Sequence, residues 1–232
     1  MVMEDRYSDG DYLTKNPTWH VEDSPWKARQ IVAMMRKHGL EPTRIAEVGC
    51  GAGAILTELS AAYPACSFVG YEMSPQAMLL CKSRETDRVH FRAQNIFEFA
   101  EEPYDVILCI DVIEHIDDSA RFLQSIRQLQ GLKIFHIPLE LSVLTMLKAS
   151  ALVDNRRRVG HVHFYSKELA IDTVADSGLQ VLDWCYTPWA LDYPSRNWKA
   201  ALLNGARGIT DRLSRAYASR LFGGYSLLVL AK

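Results

Sequence analysis

The chain alternates short apolar runs with segments of helical period. The runs are Arg44–Val48 (RIAEV), Ser67–Tyr71 (SFVGY), 89–91 (VHF), 104–110 (YDVILCI) and 132–137 (LKIFHI). Their length and their β-branched and aromatic content predict buried strands. Between them, apolar positions recur every three or four residues. Ile31, Met34 and Met35 follow Ser24-Pro25, with Ser24 expected as N-cap, Pro25 in the first turn and Gly39 as the stop. Ile55, Leu56, Leu59 and Ala62 follow a glycine cluster, and further helices are expected from Ser74-Pro75 to Cys81 and over Ser119–Gln128. Strands apolar on both faces and separated by helices predict an α/β fold with a largely parallel sheet covered on both sides.

After residue 138 the rhythm changes. Residues 139–151 read as a helix, 156–159 as a basic loop, 166–176 as a helix ended by Gly178, and 179–186 and 225–230 as late strands. The stretch 188–223 reads as a helical insertion before the last strand. The expected organisation is one domain over residues 1–232. It has an N-terminal lid and helix (1–40), a cofactor-binding core (43–187) and that insertion.

Composition narrows the class. With 232 residues and 48% hydrophobic content, a sizeable core can be buried. Lysine and arginine number 26 against 28 acidic residues, a net charge of −2, which disfavours a general nucleic-acid binder. No apolar stretch has the length of a membrane span, and residues 1–11 are too polar for a secretory signal. The five cysteines are scattered, without a CxxC pair. Neither a disulfide framework nor a metal site is expected, and a cytoplasmic location is.

The informative run is Glu47-Val48-Gly49-Cys50-Gly51-Ala52-Gly53, after one strand and before a helix. Glycines there allow a tight turn and close approach of a ligand, and a helix N-terminus offers N–H groups to an anion. Glu72 ends the next strand, where a carboxylate can accept both hydroxyls of a ribose. Together these read as an adenosine-type cofactor site. Gly49-x-Gly51-x-x-Ala54 also satisfies a dinucleotide fingerprint, so an NAD(P)-dependent oxidoreductase stays open at this point.

The ordered set resembles the class I S-adenosylmethionine-dependent methyltransferases, including the quinone-methylating type. Residues 47–53 resemble their first motif, and Glu72-Met73-Ser74 the acidic end of their second strand. Gln94-Asn95-Ile96 lies where the family often has an Asp near the adenine. Residues 104–115 (YDVILCIDVIEH) resemble the fourth strand and its turn. Residues 163–169 (HFYSKEL) with Ser177-Gly178-Leu179 resemble the approach to the sixth strand. The resemblance implies a Rossmann-like sheet of seven strands with an antiparallel last strand. It also implies S-adenosyl-L-methionine as cofactor, leaving S-adenosyl-L-homocysteine. Its cofactor-binding residues would be Glu47, Gly49, Gly51, Gly53, Glu72, Met73, Asn95, Ile96 and Asp111. Asn95 departs from the usual Asp, and an amide holds an adenine amino group less strongly than a carboxylate. No Asn-Pro-Pro-Tyr tetrad follows the fourth strand, which disfavours exocyclic-amine methylation of nucleic-acid bases.

The expected reaction is in-line methyl transfer to a small-molecule acceptor at oxygen. A non-catalytic methyltransferase-like binding subunit is the further alternative. A hydroxyl acceptor is helped by a base, for which His115 and His20 are the candidates. His136 reads as a core residue, and Asp111 either lines the pocket or caps the next helix. His161 and His163 alternate and are expected to point the same way, without an evident third metal ligand. Trp19 and Trp26 either close the acceptor pocket or pack the first helix. Arg156, Arg157 and Arg158 either face solvent or receive an anionic acceptor. The insertion carries Arg196, Lys199, Arg207, Arg212, Arg215 and Arg220 with Leu202, Leu203, Ile209, Leu213 and Leu221. It reads as a helix packed on its own domain, or alternatively as a cover or a peripheral membrane contact. The acceptor's identity and the oligomeric state are not legible.

Overall fold

A computed structural model describes residues 14, 16–99, 103–148, 150–195 and 197–232. The expectation for residues 1–11 and the basic residue Arg196 lie outside the described residues. The strands are β1 (Arg44–Val48), β2 (Ser67–Tyr71), β3 (Val89–Arg92), β4 (Val106–Ile110), β5 (Leu132–Leu139), β6 (Val181–Thr187) and β7 (Tyr225–Ala231). They form one seven-stranded sheet in the order β3-β2-β1-β4-β5-β7-β6. β7 runs antiparallel to both β5 and β6, and β1 to β5 are parallel.

Strand alternation explains the two-sided burial. Successive residues point to opposite faces, and here both faces are dry. Ala46, Ile107, Cys109 and Phe135 pack on one side, and Ile45, Val106, Leu108 and Ile134 on the other. The second face is covered by α1 (Ser24–Lys37), α2 (Ala54–Ala62) and, through Cys81, α3 (Pro75–Cys81). The first receives Ile96 of α4 (Ile96–Phe99), and Leu123 and Ile126 of α5 (Ser119–Gln128). Later in the chain come α6 (Val143–Leu147), α7 (Ala151–Arg158), α8 (Lys167–Asp176), α9 (Trp189–Asp192), α10 (Trp198–Leu213) and α11 (Arg215–Phe222). Ala170 and Val174 of α8 and Ala218 of α11 complete that first face.

Several local expectations are corrected. Asp23, not Ser24, is the N-cap of α1, because a 3-10 turn at Val21–Asp23 runs directly into the helix. The expected helix over 139–151 is interrupted. β5 continues to Leu139, and Ser142 then caps the short α6 by accepting the Thr145 N–H at 3.1 Å. Arg156, Arg157 and Arg158 form no loop; they are the last turn of α7, where cations suit the helix dipole. The insertion is helical and packs Ala190 and Ala218 inward, but most of the large apolar residues of α10 are not covered. Leu202, Ile209 and Leu213 face outward, Leu213 with 83% of its surface exposed. The buried residue of α10 is Arg207, whose guanidinium donates to the carbonyls of Phe222 and Gly223 and closes the end of α11. No described helix is long and apolar enough to cross a membrane.

Candidate active site

The sheet order reverses between β1 and β4, and open α/β sheets bind ligands beyond the carboxyl ends of strands at such a point. A cavity of about 990 Å³ lies there, walled by the ends of β1, β2, β4 and β5 and by the N-terminal segment.

The glycine loop forms the first wall. Gly49 and Gly51 adopt left-handed backbone (φ +69° and +54°), which turns the chain off β1. Four of the loop's amides are consumed within the protein. Gly49 and Cys50 donate to the Tyr71 carbonyl at 2.8 and 3.2 Å, and Gly53 donates to the Cys50 carbonyl at 2.8 Å. Gly51 donates to Glu72 Oε2 at 2.9 Å. The expected free N–H groups for an anion are therefore absent at these four positions. The reason is the end of β2, whose Tyr71 carbonyl and Glu72 carboxylate reach across to the loop. Gly53 lies outside the cavity wall: a Cβ there would stand 2.3 Å from the Phe91 ring, so this glycine serves packing.

Three acidic residues follow. Glu72 also accepts the Ser74 N–H on Oε1 at 2.7 Å. Burial raises its carboxyl and the backbone donors pull it down. Each oxygen keeps a second lone pair for a diol. Glu47 is buried on β1, and its Oε2 has no hydrogen-bond partner among the described residues. Burial pushes its carboxyl well above the usual range, against the pull of Lys27. Asp111 takes left-handed backbone (φ +53°) just after β4. It pairs with Lys27 Nζ at 2.7 Å and His136 Nδ1 at 2.5 Å. Burial would raise its carboxyl, but Lys27 and His136 overcome this and hold it far below the ordinary range. Asp111 thus lines the cavity rather than capping a helix. His136 is a satisfied core residue, with Nε2 3.0 Å from Thr187 Oγ1.

Asn95 and Ile96 line the next wall. Asn95 Oδ1 already accepts the Phe97 N–H at 3.1 Å, leaving one lone pair. Ile96 is buried, and Met73 stands exposed on the rim.

Across the cavity, Trp19 and His20 both hold left-handed backbone (φ +50° and +56°), a strained pair for residues with side chains. A Cβ at Gly51 would lie 3.8 Å from the Trp19 ring, so Trp19 covers the loop as a lid would. Trp26 both lines the cavity and packs α1: its Nε1 donates to Asp192 at 2.8 Å, and its ring meets His136 edge-on. Burial, then the Lys27 charge, lowers His20 below the ordinary histidine value. Burial and neighbouring His161 lower His115 to about 3.

His161 and His163 have different partners. His161 Nδ1 meets Glu140 Oε2 at 2.7 Å in the cavity wall, whereas His163 Nε2 donates to the Ile116 carbonyl at 2.9 Å. Arg158 lines the wall. Sequence reasoning missed Lys27, Glu114 and Glu140. Lys27 had one signal, a lysine set between buried Trp26 and Ala28. Glu114 lay inside the quoted IEH turn, overshadowed by its histidine.

A glycine loop held between acidic ends of β1 and β2, on a seven-stranded sheet with antiparallel β7, defines the class I methyltransferase architecture. Comparison with known proteins agrees. A sequence model of the methyltransferase domain family matches residues 46–130. Ubiquinone biosynthesis O-methyltransferase of Nitrosomonas europaea is 34% identical over 97 residues, 39% of this chain and 40% of that protein. tRNA U34 carboxymethyltransferase of Sulfurimonas denitrificans is 29% identical over 110 residues, 45% of this chain and 37% of that protein. The chain spans about two fifths of the length of these curated relatives. Magnesium protoporphyrin IX methyltransferase from Synechocystis PCC 6803, solved with S-adenosylhomocysteine, superposes with a TM-score of 0.59 at 15% identity, covering 90% of this chain and 83% of that one. The chain thus shares the fold of solved S-adenosylmethionine-dependent methyltransferases, and its residues 46–130 match the methyltransferase domain family.

Proposed function

We propose that the protein transfers a methyl group from S-adenosylmethionine to a hydroxyl of a small molecule held in this cavity. The carrying observation is the glycine loop with its amides turned inward, beside a buried Glu47 oxygen that has no hydrogen-bond partner. A dinucleotide needs those amides for its pyrophosphate. A cofactor with a ribose and an amino-acid ammonium, but no phosphate, needs carboxylates, and Glu72 and Glu47 fit it. This reading treats residues 16–232 as one functional unit.

S-adenosylmethionine supplies a methyl group on a positively charged sulfur, already activated for in-line displacement. Glu72 holds the ribose hydroxyls, and Glu47 takes the ammonium. Asn95 and Ile96 flank the base, Met73 shields it from the rim, and Gly49 and Gly51 allow close approach. Asp111 holds Lys27 and His136 in place behind this wall. Trp19 excludes water above the loop. His20, neutral at pH 7 and on the cavity wall, is the better base for the acceptor proton. His115 at about 3 gains a proton too reluctantly for that work.

The net charge of −2 favours a small acceptor over a polynucleotide. The test is transfer of labelled methyl to phenols, catechols and aliphatic hydroxyls, with amines, carboxylates and tRNA in parallel. Label on a hydroxyl compound, lost in His20→Ala with S-adenosylhomocysteine affinity kept, is the expected result. Label on tRNA alone overturns the acceptor assignment.

A further inference from the structure

One cluster in the cavity wall has no part in that reaction. Glu114, His115 and His161 each bring one ligand-type atom within 4.8 Å of the others. Glu114 is fully buried, and neither of its carboxylate oxygens has a hydrogen-bond partner among the described residues. A carboxyl left without hydrogen bonds inside a protein is costly unless something is bound there.

The surrounding contacts prepare the histidines. Glu140 lies 2.7 Å from His161 Nδ1 and sets that nitrogen as donor, which leaves Nε2 with its lone pair. Glu140 is itself held by Asn155. The His115 and His161 rings stand 4.8 Å apart and nearly perpendicular. The backbone fixes the two halves together: Val162 and His163 donate to the Glu114 carbonyl at 2.8 and 3.1 Å.

We propose that Glu114, His115 and His161 form a binding site for a divalent transition-metal ion, oriented from behind by Glu140. Two imidazoles and one carboxylate suit zinc, iron(II), cobalt or manganese better than magnesium or calcium. Three protein ligands leave a position open. All three residues line the cavity, so that position is available to an oxygen of a bound small molecule. The proposal requires neither S-adenosylmethionine nor turnover, and it stands or falls apart from the functional reading.

The test uses the full chain, stripped with a chelator and titrated with cobalt(II) chloride in the absence of cofactor. Visible d–d bands saturating at one equivalent are expected, with zinc displacing them. Glu114→Gln and His161→Ala should each weaken binding by at least about a hundredfold, and Glu140→Gln by about ten- to a hundredfold. His163→Ala, whose imidazole is tied to a backbone carbonyl, should bind as the parent does. Circular dichroism checks that each variant is folded. Absence of cobalt bands in the parent up to millimolar metal overturns the proposal. So does equal binding by folded Glu114→Gln and His161→Ala.

Discussion

The two sides of the cavity are built on different terms. On the cofactor side, from β1 to β4, the loop amides at Gly49, Cys50, Gly51 and Gly53 are all engaged. The apolar residues of these strands are buried on both faces. On the other side, the helices after β5 leave large apolar residues outside: Leu147, Trp198 and Leu213 are among the most exposed large apolar side chains of the described residues. In the turn after β4, the buried Glu114 carboxylate has no hydrogen-bond partner among the described residues. The cofactor side settles four loop amides within the protein and leaves one Glu47 oxygen open, whereas the other side leaves both Glu114 oxygens open and several large apolar side chains uncovered among the described residues.

The largest effects should fall where the cofactor side is broken. Asp111→Ala strips Lys27 and His136 of their shared carboxylate and leaves a buried cation, a loss of about 3 kcal/mol by denaturant titration. The sign with pH follows from its depressed carboxyl. The stability Asp111 contributes is present above the ordinary Asp value of about 4. It is lost as pH falls toward the lower folded value. The parent should therefore lose stability below about pH 4 more steeply than the variant.

Gly53→Ala and Gly51→Ala separate packing from binding within one loop. Both positions are left-handed, at about 1–2 kcal/mol for a side chain. Only Gly53 adds a collision, with Phe91, for a further 1–3 kcal/mol or so. Gly53→Ala should show the lower melting temperature. Gly51→Ala should melt nearer the parent yet lose most of its S-adenosylhomocysteine affinity. Equal melting temperatures would contradict the packing role.

Glu47→Gln should trade binding for stability. The folded carboxyl is raised, so its favourable contribution is complete below about pH 4 and fades as pH rises through the folded value. The amide does not ionise, so near pH 8 the variant should be more stable than the parent by on the order of 1 kcal/mol. Its S-adenosylhomocysteine affinity should drop about tenfold, the worth of one charge-assisted hydrogen bond. Smallest of all, Leu213→Ser should shift stability by less than about 0.5 kcal/mol, because the side chain packs against little.

The same divide governs what the sequence discloses. Strand runs such as 44–48 and 106–110 were legible because two-sided burial demands continuous apolar residues. Gly49, Gly51 and Glu72 were legible because turn geometry and strand ends demand those residue types at fixed spacing. The inward use of the loop amides was not, since it depends on how β2 meets the loop. Lys27 pairs with Asp111 across 84 positions, and no local pattern announces such a contact. The exposed face of α10 was misread for a related reason. Amphipathic spacing shows that a helix has an apolar side, not that the fold supplies something to cover it.

The central claim is that the glycine loop serves a phosphate-free adenosine cofactor held by carboxylates. Calorimetric titration of the purified chain with S-adenosylhomocysteine and, separately, with NAD tests it most directly. The account predicts saturable binding of S-adenosylhomocysteine, weakened in Glu72→Ala, and no heat from NAD. Binding of NAD, with S-adenosylhomocysteine silent, would contradict it.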